Sequence, residues 1–308
     1  MNALQPNIEC LVRALRAPVI AALALADTSP PLSARDPLSG EAAVFSDGTD
    51  AIPYRLYRPE GSDTPGASVP LVLFLHGAGE RGTNNTAQVT AHIQGLIDTT
   101  ETGSFAGFLI APQCPPGQDW ANFNSPTLST PLRLVLDLVD QFIAENPVDA
   151  ARVYVTGLSM GGFGAFDALE RRPDLFAAAA PLSSGGNLSA VDIYKEIPIW
   201  AFHGANDTTV PPGASRNTML AIESQGGTKD RYTELAGQGH VIWAPIYNGA
   251  SFAFDSDYSG RFAPDGSDDL YSWMFAQVNP IPEPATAGFL VACAALLAMR
   301  RRRIPQQR

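Results

Sequence analysis

One serine of this chain stands in the sequence context that a serine nucleophile requires. Ser159 lies at the centre of the run Gly157-Leu158-Ser159-Met160-Gly161, directly after an apolar strand pattern and directly before a helix pattern. The turn must be so tight that its flanking positions can carry no side chain, and this leaves the hydroxyl exposed above the edge of a sheet. The N-terminus of the following helix favours negative charge that develops beside the hydroxyl. We therefore predict that Ser159 is a nucleophile.

The general base that such a serine needs must come from the four histidines of the chain. His92 lies in a helix pattern, whereas His76 and His203 each follow a strand pattern and precede a glycine, which suits structural roles at strand ends. His240 lies in a glycine-rich loop that can bring an imidazole over the sheet edge. For a serine on a strand-to-helix turn, the chain order is serine, acid, histidine. His240 alone follows every plausible acid, so we predict that it is the base.

The acid that orients this histidine is expected on a loop after a late strand. Asp207 follows the strand pattern at 200–203 by a short glycine turn, and its carboxylate would hold the imidazole in the right tautomer. Asp192 and Glu196 precede that strand and so lie towards its wrong end, and Asp230 precedes the next strand. We predict Asp207 as the acid; the alternative is that it only caps a turn.

The early strand pattern leads into a second glycine-rich turn, His76-Gly77-Ala78-Gly79. Its position suits an oxyanion hole, in which one backbone N–H comes from Met160 and the other from Ala78, with Gly77 as the alternative donor. A phosphate-binding glycine loop is the competing interpretation. It would require a Gly-Lys-Ser/Thr motif or a Gly-x-Gly-x-x-Gly motif that opens a helix, and this turn contains neither.

Strand and helix patterns alternate along the body of the chain. Residues 41–45 and 54–57 predict an antiparallel pair joined by a turn at Asp47-Gly48. Strand patterns then occur at 69–75, 107–111, 153–156, 177–181, 197–202 and 231–235, and helical periodicity occurs at 86–97, 132–143, 161–169 and 215–224. This alternation predicts one α/β domain with a mostly parallel sheet and helices on both faces.

Composition excludes several other classes of protein. The 308 residues carry a net charge of −11, and no short repeat indicates a collagen, solenoid or coiled coil. Many of the basic residues lie near the two ends of the chain, so the body is more acidic still and would repel nucleic acid. Cys114 is the one cysteine outside the two ends, which predicts a packed loop residue and no internal disulfide.

Both ends of the chain resemble targeting segments. Residues 1–26 combine Arg13 and Arg16 with an apolar run and an Ala-Leu-Ala cleavage pattern, which predicts a secretory signal peptide; a buried amphipathic helix is the alternative. Residues 27–40 are rich in proline and serine and predict a linker to a catalytic domain at 41–280.

The C-terminal segment, residues 281–308, has three parts in a fixed order. Pro282-Glu283-Pro284 precedes an apolar run at 285–299, and four arginines follow at 300–303. This tail resembles the PEP-CTERM sorting signal of Gram-negative bacteria, which implies processing by an exosortase-type membrane enzyme. The alternative is a plain C-terminal transmembrane anchor. Either interpretation places the body outside the cytoplasm, in the periplasm, at the cell surface or in the medium.

The body, over about residues 40–278, resembles a secreted α/β-hydrolase of the esterase and predicted-peptidase group, which includes relatives of carboxylesterases, polyhydroxyalkanoate depolymerases and feruloyl esterases. The matching segments are 75–82, 111–115, 157–162, 202–211, 239–243 and 270–273. The resemblance implies the α/β-hydrolase fold, hydrolysis of a small or polymeric ester through an acyl-enzyme, and no cofactor. One departure is the stretch between Trp243 and Leu270, which looks longer than the connection of the family.

The loops around these motifs contain further candidates. Trp120, Phe123 and Trp243 are candidate walls of a substrate pocket, and surface packing is the alternative for the first two. The run Asp255-Ser256-Asp257-Tyr258-Ser259-Gly260 matches the first half of a calcium loop, but position 12 is Gly266 instead of glutamate. A solvated acidic loop is therefore favoured, and we predict no metal site.

Three functions compete at this point. A serine carboxylesterase is the leading hypothesis, and a serine peptidase of the same fold is the alternative within enzymes. A catalytically idle domain that binds a surface or matrix is a third. The presence of Ser159, Asp207 and His240 in the required order argues against the idle domain.

Overall fold

The computed structural model describes residues 36–90, 93–102, 105–123, 125–250 and 269–279. The predicted signal peptide, most of the predicted linker, His92, the acidic run at 255–260 and the C-terminal tail lie outside these residues. Among the helices of the described part, none has the length and hydropathy needed to cross a bilayer.

Eight strands form one sheet in the described chain. The strands are β1 (Glu41–Ser46), β2 (Ala51–Tyr57), β3 (Val69–Leu75), β4 (Phe108–Pro112), β5 (Val148–Leu158), β6 (Ala178–Leu182), β7 (Ile199–Gly204) and β8 (Asp230–Leu235). The helices are α1 (Ala87–Thr90), α2 (Gln94–Thr102), α3 (Thr130–Glu145), α4 (Met160–Arg171), α5 (Val191–Tyr194), α6 (Gly213–Ser224), α7 (Trp243–Tyr247) and α8 (Leu270–Phe275).

The strand order is β1-β2-β4-β3-β5-β6-β7-β8. β1 pairs with β2, and β2 with β4, in antiparallel register, whereas every later pair is parallel. The predicted mostly parallel sheet with an antiparallel pair at its start is therefore confirmed. The first turn is closed by the N–H of Asp47, which donates to the carbonyl of Asp50 at 3.3 Å.

The central strands are buried on both faces, which explains their continuous apolar runs. One face packs against α3 and α4 through residues such as Val135 and Phe166. The other face packs against α2, α7 and α8 through residues such as Ile97, Tyr247 and Trp273. The sheet thus lies between two apolar layers, as the alternation of strands and helices predicts.

Some predicted boundaries differ from the structure. The helix predicted at 86–97 corresponds to two helices, α1 and α2. β5 begins at Val148, earlier than predicted, because Val148 pairs with Val69 of β3 at the start of the sheet. The short helices α5, α7 and α8 were not predicted, since four to six residues are too few to show a helical period.

Asp230 is the first residue of β8. It therefore lies at the amino-terminal ends of the parallel strands, opposite the carboxyl-terminal ends where the site is predicted. Its side chain is buried, and neither carboxylate oxygen has a hydrogen-bond partner among the described residues. Burial, and more weakly the nearby Glu223 carboxylate, raise the pKa of Asp230 to about 6. Ionised Asp230 therefore opposes folding. The stability of the fold is greater below the unfolded-state pKa of this group and declines as the pH rises through the folded-state value.

We expect Asp230→Asn to stabilise the protein at pH 7.5 by at most about 3 kcal/mol, because the pKa of Asp230 is raised from 3.8 to about 6 and one pKa unit corresponds to about 1.4 kcal/mol. The gain should shrink as the pH falls towards 4.5, where folded Asp230 is protonated. Thermal unfolding of wild type and variant at both pH values measures this difference. Asp63→Asn, at an exposed aspartate, is the control and should change little; an equal gain at both pH values would contradict the electrostatic explanation.

Candidate active site

The predicted site residues come from loops that leave one edge of the sheet. The parallel register pairs Leu75 of β3 with Gly157 of β5, and Gly204 of β7 with Leu235 of β8. The carboxyl ends of these strands therefore lie side by side, and the loops that follow them carry Ala78, Ser159, Asp207 and His240. In open parallel sheets this edge is the usual position of a binding crevice.

Ser159 occupies a strained backbone conformation between β5 and α4. Its φ is 51° and its ψ is −117°, a region that residues with a side chain rarely adopt. Its N–H donates to the carbonyl of Leu182 at 2.9 Å, and its carbonyl accepts from Phe163 at 3.1 Å. These two hydrogen bonds help to hold the turn that directs the side chain out of the strand.

The flanking glycines are required by close backbone approach. A Cβ atom on Gly161 would lie 1.9 Å from the carbonyl oxygen of Leu75, and a Cβ on Gly157 would lie 2.5 Å from the carbonyl oxygen of Gly161. Both contacts are with backbone atoms, which cannot move aside as a side chain can. The sequence motif is therefore explained by the contact between the β5–α4 turn and the end of β3.

Ser159, His240 and Asp207 form one hydrogen-bonded line. The Ser159 Oγ lies 2.9 Å from His240 Nε2, and His240 Nδ1 lies 2.7 Å from Asp207 Oδ2. With Asp207 ionised, Nδ1 carries the proton and Nε2 is free to accept the serine proton. The loop of His240 is held by Ser183, whose hydroxyl donates to the His240 carbonyl at 3.0 Å. The ring of Trp243 packs edge-on against His240.

Asp207 is ionised because hydrogen bonds outweigh its burial. Burial alone would raise the pKa of this carboxyl. Hydrogen bonds from His240 and from the N–H groups of Val210 and Thr209 outweigh that effect and hold the pKa of Asp207 below its ordinary value. The backbone bonds go to Oδ1 at 2.9 and 2.8 Å, which leaves Oδ2 for the imidazole.

The turn after β3 brings Ala78 to the same cavity as Ser159 and Met160. Met160 is the first residue of α4 and Ala78 the first residue of a 3₁₀ turn, and the first N–H groups of a helix have no acceptor within it. Gly77 does not line this cavity, and its carbonyl lies 2.6 Å from His76 Nδ1. The Gly77–Ala78 peptide is thus fixed on its carbonyl side, and because the peptide is planar this also fixes the direction of the Ala78 N–H.

His76 connects this turn to the loop that carries Cys114 and Trp120. Its Nε2 accepts from the N–H of Cys114 at 2.9 Å, and its own carbonyl accepts from Nε1 of Trp120 at 3.0 Å. Burial lowers the pKa of His76 to about 4, so the ring is neutral at ordinary pH. The predicted structural role of His76 at a strand end agrees with these contacts.

A cavity of about 330 Å³ opens beside the serine. It is lined by Ala78, Arg81, Asp119, Ala121, Phe123, Ser159, Met160 and Phe163. Most of the lining is apolar, and Phe123 and Phe163 meet edge to face with ring centroids 6.5 Å apart. Arg81 and Asp119 form an ion pair on the cavity wall. The cavity suits a compact, mainly apolar group next to Ser159.

The three predicted pocket residues have different positions. Phe123 lines the cavity, whereas Trp120 and Trp243 do not. Trp120 is fully buried and lies in the core against Gly164, and Trp243 packs behind His240. An aromatic residue in a loop can turn into the core as easily as towards a ligand, and the loop sequence does not distinguish the two.

The other four lining residues, Arg81, Asp119, Ala121 and Phe163, were not predicted. Phe163 lies four residues after Ser159, on the first turn of α4, and this spacing could have identified it. Arg81 and Asp119 come from separate loops, and only the tertiary fold brings these loops together.

Cys114 is buried, and burial raises the pKa of its thiol to about 12, which agrees with the predicted packed loop residue.

Comparisons with known proteins agree with this fold. The fold is that of an α/β-hydrolase. A model of the prolyl oligopeptidase family matches residues 117–200. The crystal structure of a thermostable esterase is 33% identical, with a TM-score of 0.64, and the match covers 78% of this chain and 63% of that one.

Two curated relatives are also esterases or depolymerases by name. A bifunctional acetylxylan esterase/xylanase of Neocallimastix patriciarum is 26% identical over 71% of this chain and 32% of its own length. A poly(3-hydroxyalkanoate) depolymerase of Paucimonas lemoignei is 31% identical over 65% of this chain and 56% of its own length. The α/β-hydrolase chain thus matches about a third to just over half of these proteins, and it is esterase-like in sequence.

We expect Gly161→Ala to destabilise the fold by at least about 3 kcal/mol, because the added methyl group would collide with backbone at the end of β3. Gly213→Ala is the matched control: it also lies in the first turn of a helix, but its Cβ would meet nothing within 4 Å. That variant should change stability by less than about 1 kcal/mol. Urea unfolding of both variants measures the difference, and similar values would mean that the turn can relax.

Proposed function

We propose that this chain is a serine esterase that hydrolyses carboxylic esters through an acyl-enzyme. The observation that carries the proposal is the hydrogen-bonded line from Ser159 through His240 to Asp207, which ends at an open, mainly apolar cavity. Ser159 is the nucleophile, His240 the general base and acid, and Asp207 the group that orients His240.

In the first half of the reaction the Ser159 hydroxyl attacks the ester carbonyl and gives its proton to His240 Nε2. The imidazolium that forms is stabilised by the Asp207 carboxylate, which stays ionised. The tetrahedral intermediate collapses, the alcohol leaves with the proton from His240, and the acyl group remains on Ser159.

The negative charge on the carbonyl oxygen needs donors in both halves of the reaction. We assign these donors to the N–H groups of Met160 and Ala78, which line the same cavity as Ser159, and the N-terminal end of α4 adds its dipole. In the second half, His240 takes a proton from water, the hydroxide attacks the acyl group, and Ser159 is released with its proton restored.

The comparisons support an ester substrate more strongly than a peptide. The relatives named above are esterases or a depolymerase, and the peptidase family model matches only residues 117–200. That segment contains β5 and the turn of Ser159, which esterases and peptidases of this fold have in common. A serine peptidase is the alternative, and a panel of aryl esters and matching aryl amides distinguishes the two.

Ser159→Ala should abolish covalent labelling by a fluorophosphonate and lower ester turnover by about 1000-fold or more. The remaining rate would come from substrate binding and the oxyanion donors. Labelling, esterase assays and thermal unfolding of the purified variants measure these effects. Ser189→Ala, at an exposed serine outside the cavity, is the control and should behave as wild type; a fully active Ser159→Ala enzyme would rule out the nucleophile.

We further propose that the esterase is exported and loses both ends. Cleavage after Ala26 would remove the signal peptide, and processing near Pro282-Glu283-Pro284 would remove the apolar run and the four arginines. Without the second cleavage, the tail would hold the domain at the membrane.

Intact-mass measurement of the protein purified from its native envelope checks this proposal. The expected mass lacks residues 1–26 and the segment after the Pro-Glu-Pro motif. A variant with alanines in place of Pro282, Glu283 and Pro284 should keep its tail if the motif directs processing. A wild-type mass that includes residues 285–308 would instead identify a membrane-anchored protein.

A further inference from the structure

The Asp207 carboxylate faces two histidines. Its Oδ2 lies 2.7 Å from Nδ1 of His240, and the same oxygen lies 3.2 Å from Nε2 of His203. His203 is the penultimate residue of β7, and the loop that it enters carries Asp207 four residues later. The side chains of His203 and Asp207 are both fully inaccessible to solvent.

Both ring nitrogens of His203 contact polar groups of the described residues. Its Nε2 lies 2.9 Å from the carbonyl oxygen of Val210, in addition to its contact with Asp207. Its Nδ1 lies 2.7 Å from the hydroxyl of Ser215, at the start of α6, and that hydroxyl lies 2.6 Å from the carbonyl oxygen of Ser184.

These contacts fix the position of the His203 proton. Val210 O and Asp207 Oδ2 can only accept, so Nε2 must carry hydrogen. When His203 is neutral, Nδ1 has no hydrogen, and the single hydrogen of the Ser215 hydroxyl has two acceptors, Nδ1 at 2.7 Å and the Ser184 carbonyl at 2.6 Å. When His203 is protonated, Nδ1 donates to Ser215, and the Ser215 hydroxyl turns to Ser184. In both states the single Nε2 hydrogen lies between two acceptors, the Val210 carbonyl at 2.9 Å and Asp207 Oδ2 at 3.2 Å.

Three titratable groups of the described residues interact electrostatically with His203. Besides Asp207 and His240, Glu234 of β8 pairs with His203 in the strand register and is itself bound by Arg216 of α6. Burial lowers the pKa of His203, in spite of the hydrogen bonds to Val210 and Asp207 that act in the opposite direction. His203 is therefore a neutral donor at the pH at which His240 must be unprotonated.

We propose that His203 is a positioning residue of the catalytic machinery, whose Nε2–H fixes Asp207 Oδ2 beneath His240. The inference rests on the proposed esterase function, and it adds a fourth member to the line of Ser159, His240 and Asp207.

The position of this donor has two consequences. First, the loop that carries Asp207 is fixed on both sides of the carboxylate, by the backbone at Oδ1 and by His203 at Oδ2. Second, a neutral donor draws electron density from Oδ2 without cancelling the charge of the carboxylate. Asp207 therefore still stabilises the His240 imidazolium, but it attracts the imidazolium proton less strongly. His240 can then return the proton to the leaving alcohol.

Two substitutions at His203 separate the contacts of its two nitrogens. In His203→Gln, the side-chain amide reaches the position of Nε2 and keeps a donor to Asp207. In His203→Asn, the shorter amide reaches the position of Nδ1 and keeps only the contact with Ser215. Phe202→Leu is the control, because Phe202 is buried in the same strand but packs on the opposite face of the sheet.

We expect His203→Gln to keep kcat near that of wild type, and His203→Asn to lower kcat by about 10- to 100-fold with KM little changed, as groups that orient a catalytic side chain typically do. The acid limb of the pH profile of kcat/KM should move to higher pH in His203→Asn alone, because Asp207 without its second donor holds the proton on His240 more strongly. Phe202→Leu should lower the thermal stability and leave kcat and the pH profile unchanged.

Each assay is normalised to the folded fraction, which thermal unfolding measures. Equal kcat values and equal pH profiles for the asparagine and glutamine variants would overturn the proposal and leave His203 a structural residue. If His203→Asn does not fold, a folded His203→Gln enzyme with low kcat would overturn it as well. Failure of the proposed function is distinguishable, because wild type would then resist fluorophosphonate labelling and show no ester turnover.

Discussion

The close contact between the β5–α4 turn and the end of β3 is the constraint on which the site depends. The turn approaches the Leu75 carbonyl so closely that no side chain fits at Gly161. The same contact holds Ser159 in a backbone conformation that an isolated chain would not keep. It also sets the separation between Ser159 and the turn that carries Ala78, so that these two residues line one cavity. The energy that maintains this strain comes from the burial of the central strands in two apolar layers.

Buried polar side chains then orient the loops at this edge. His76 lies beside the turn that carries Ala78, where its ring nitrogens contact Cys114 and Gly77. His203 lies below the acid, between Asp207 and Ser215. His76 directly follows β3, and His203 lies near the end of β7. Both precede a glycine, and burial lowers the pKa of each, so both are neutral hydrogen-bonding groups. The two loops thus use the same device, in which a buried imidazole at a strand end fixes the backbone or carboxylate that the chemistry needs.

Charge is distributed differently at the two edges of the sheet. At the carboxyl edge, Asp207 is buried but has enough donors to remain ionised. At the opposite edge, Asp230 is buried without hydrogen-bond partners for its carboxylate among the described residues, and its pKa is raised. The two aspartates show that burial alone does not decide the state of a carboxyl group; the number of hydrogen bonds to the charged form decides it. This difference also supports Asp207, and not Asp230, as the partner of His240.

The sequence alone was sufficient for the fold class and for the order of Ser159, Asp207 and His240, because each of these depends on local rules: apolar periodicity, glycines at a tight turn and chain order on a parallel sheet. Tertiary structure decided where side chains in irregular loops point. Trp120 entered the core while Phe123 reached the cavity, and Arg81 met Asp119 across two loops. It also decided that His203 shares Asp207 with His240. Such contacts join residues that are far apart in the chain or that lie in irregular backbone. There no repeating sequence pattern shows which way a side chain points, so these contacts depend on how the sheet and its loops pack.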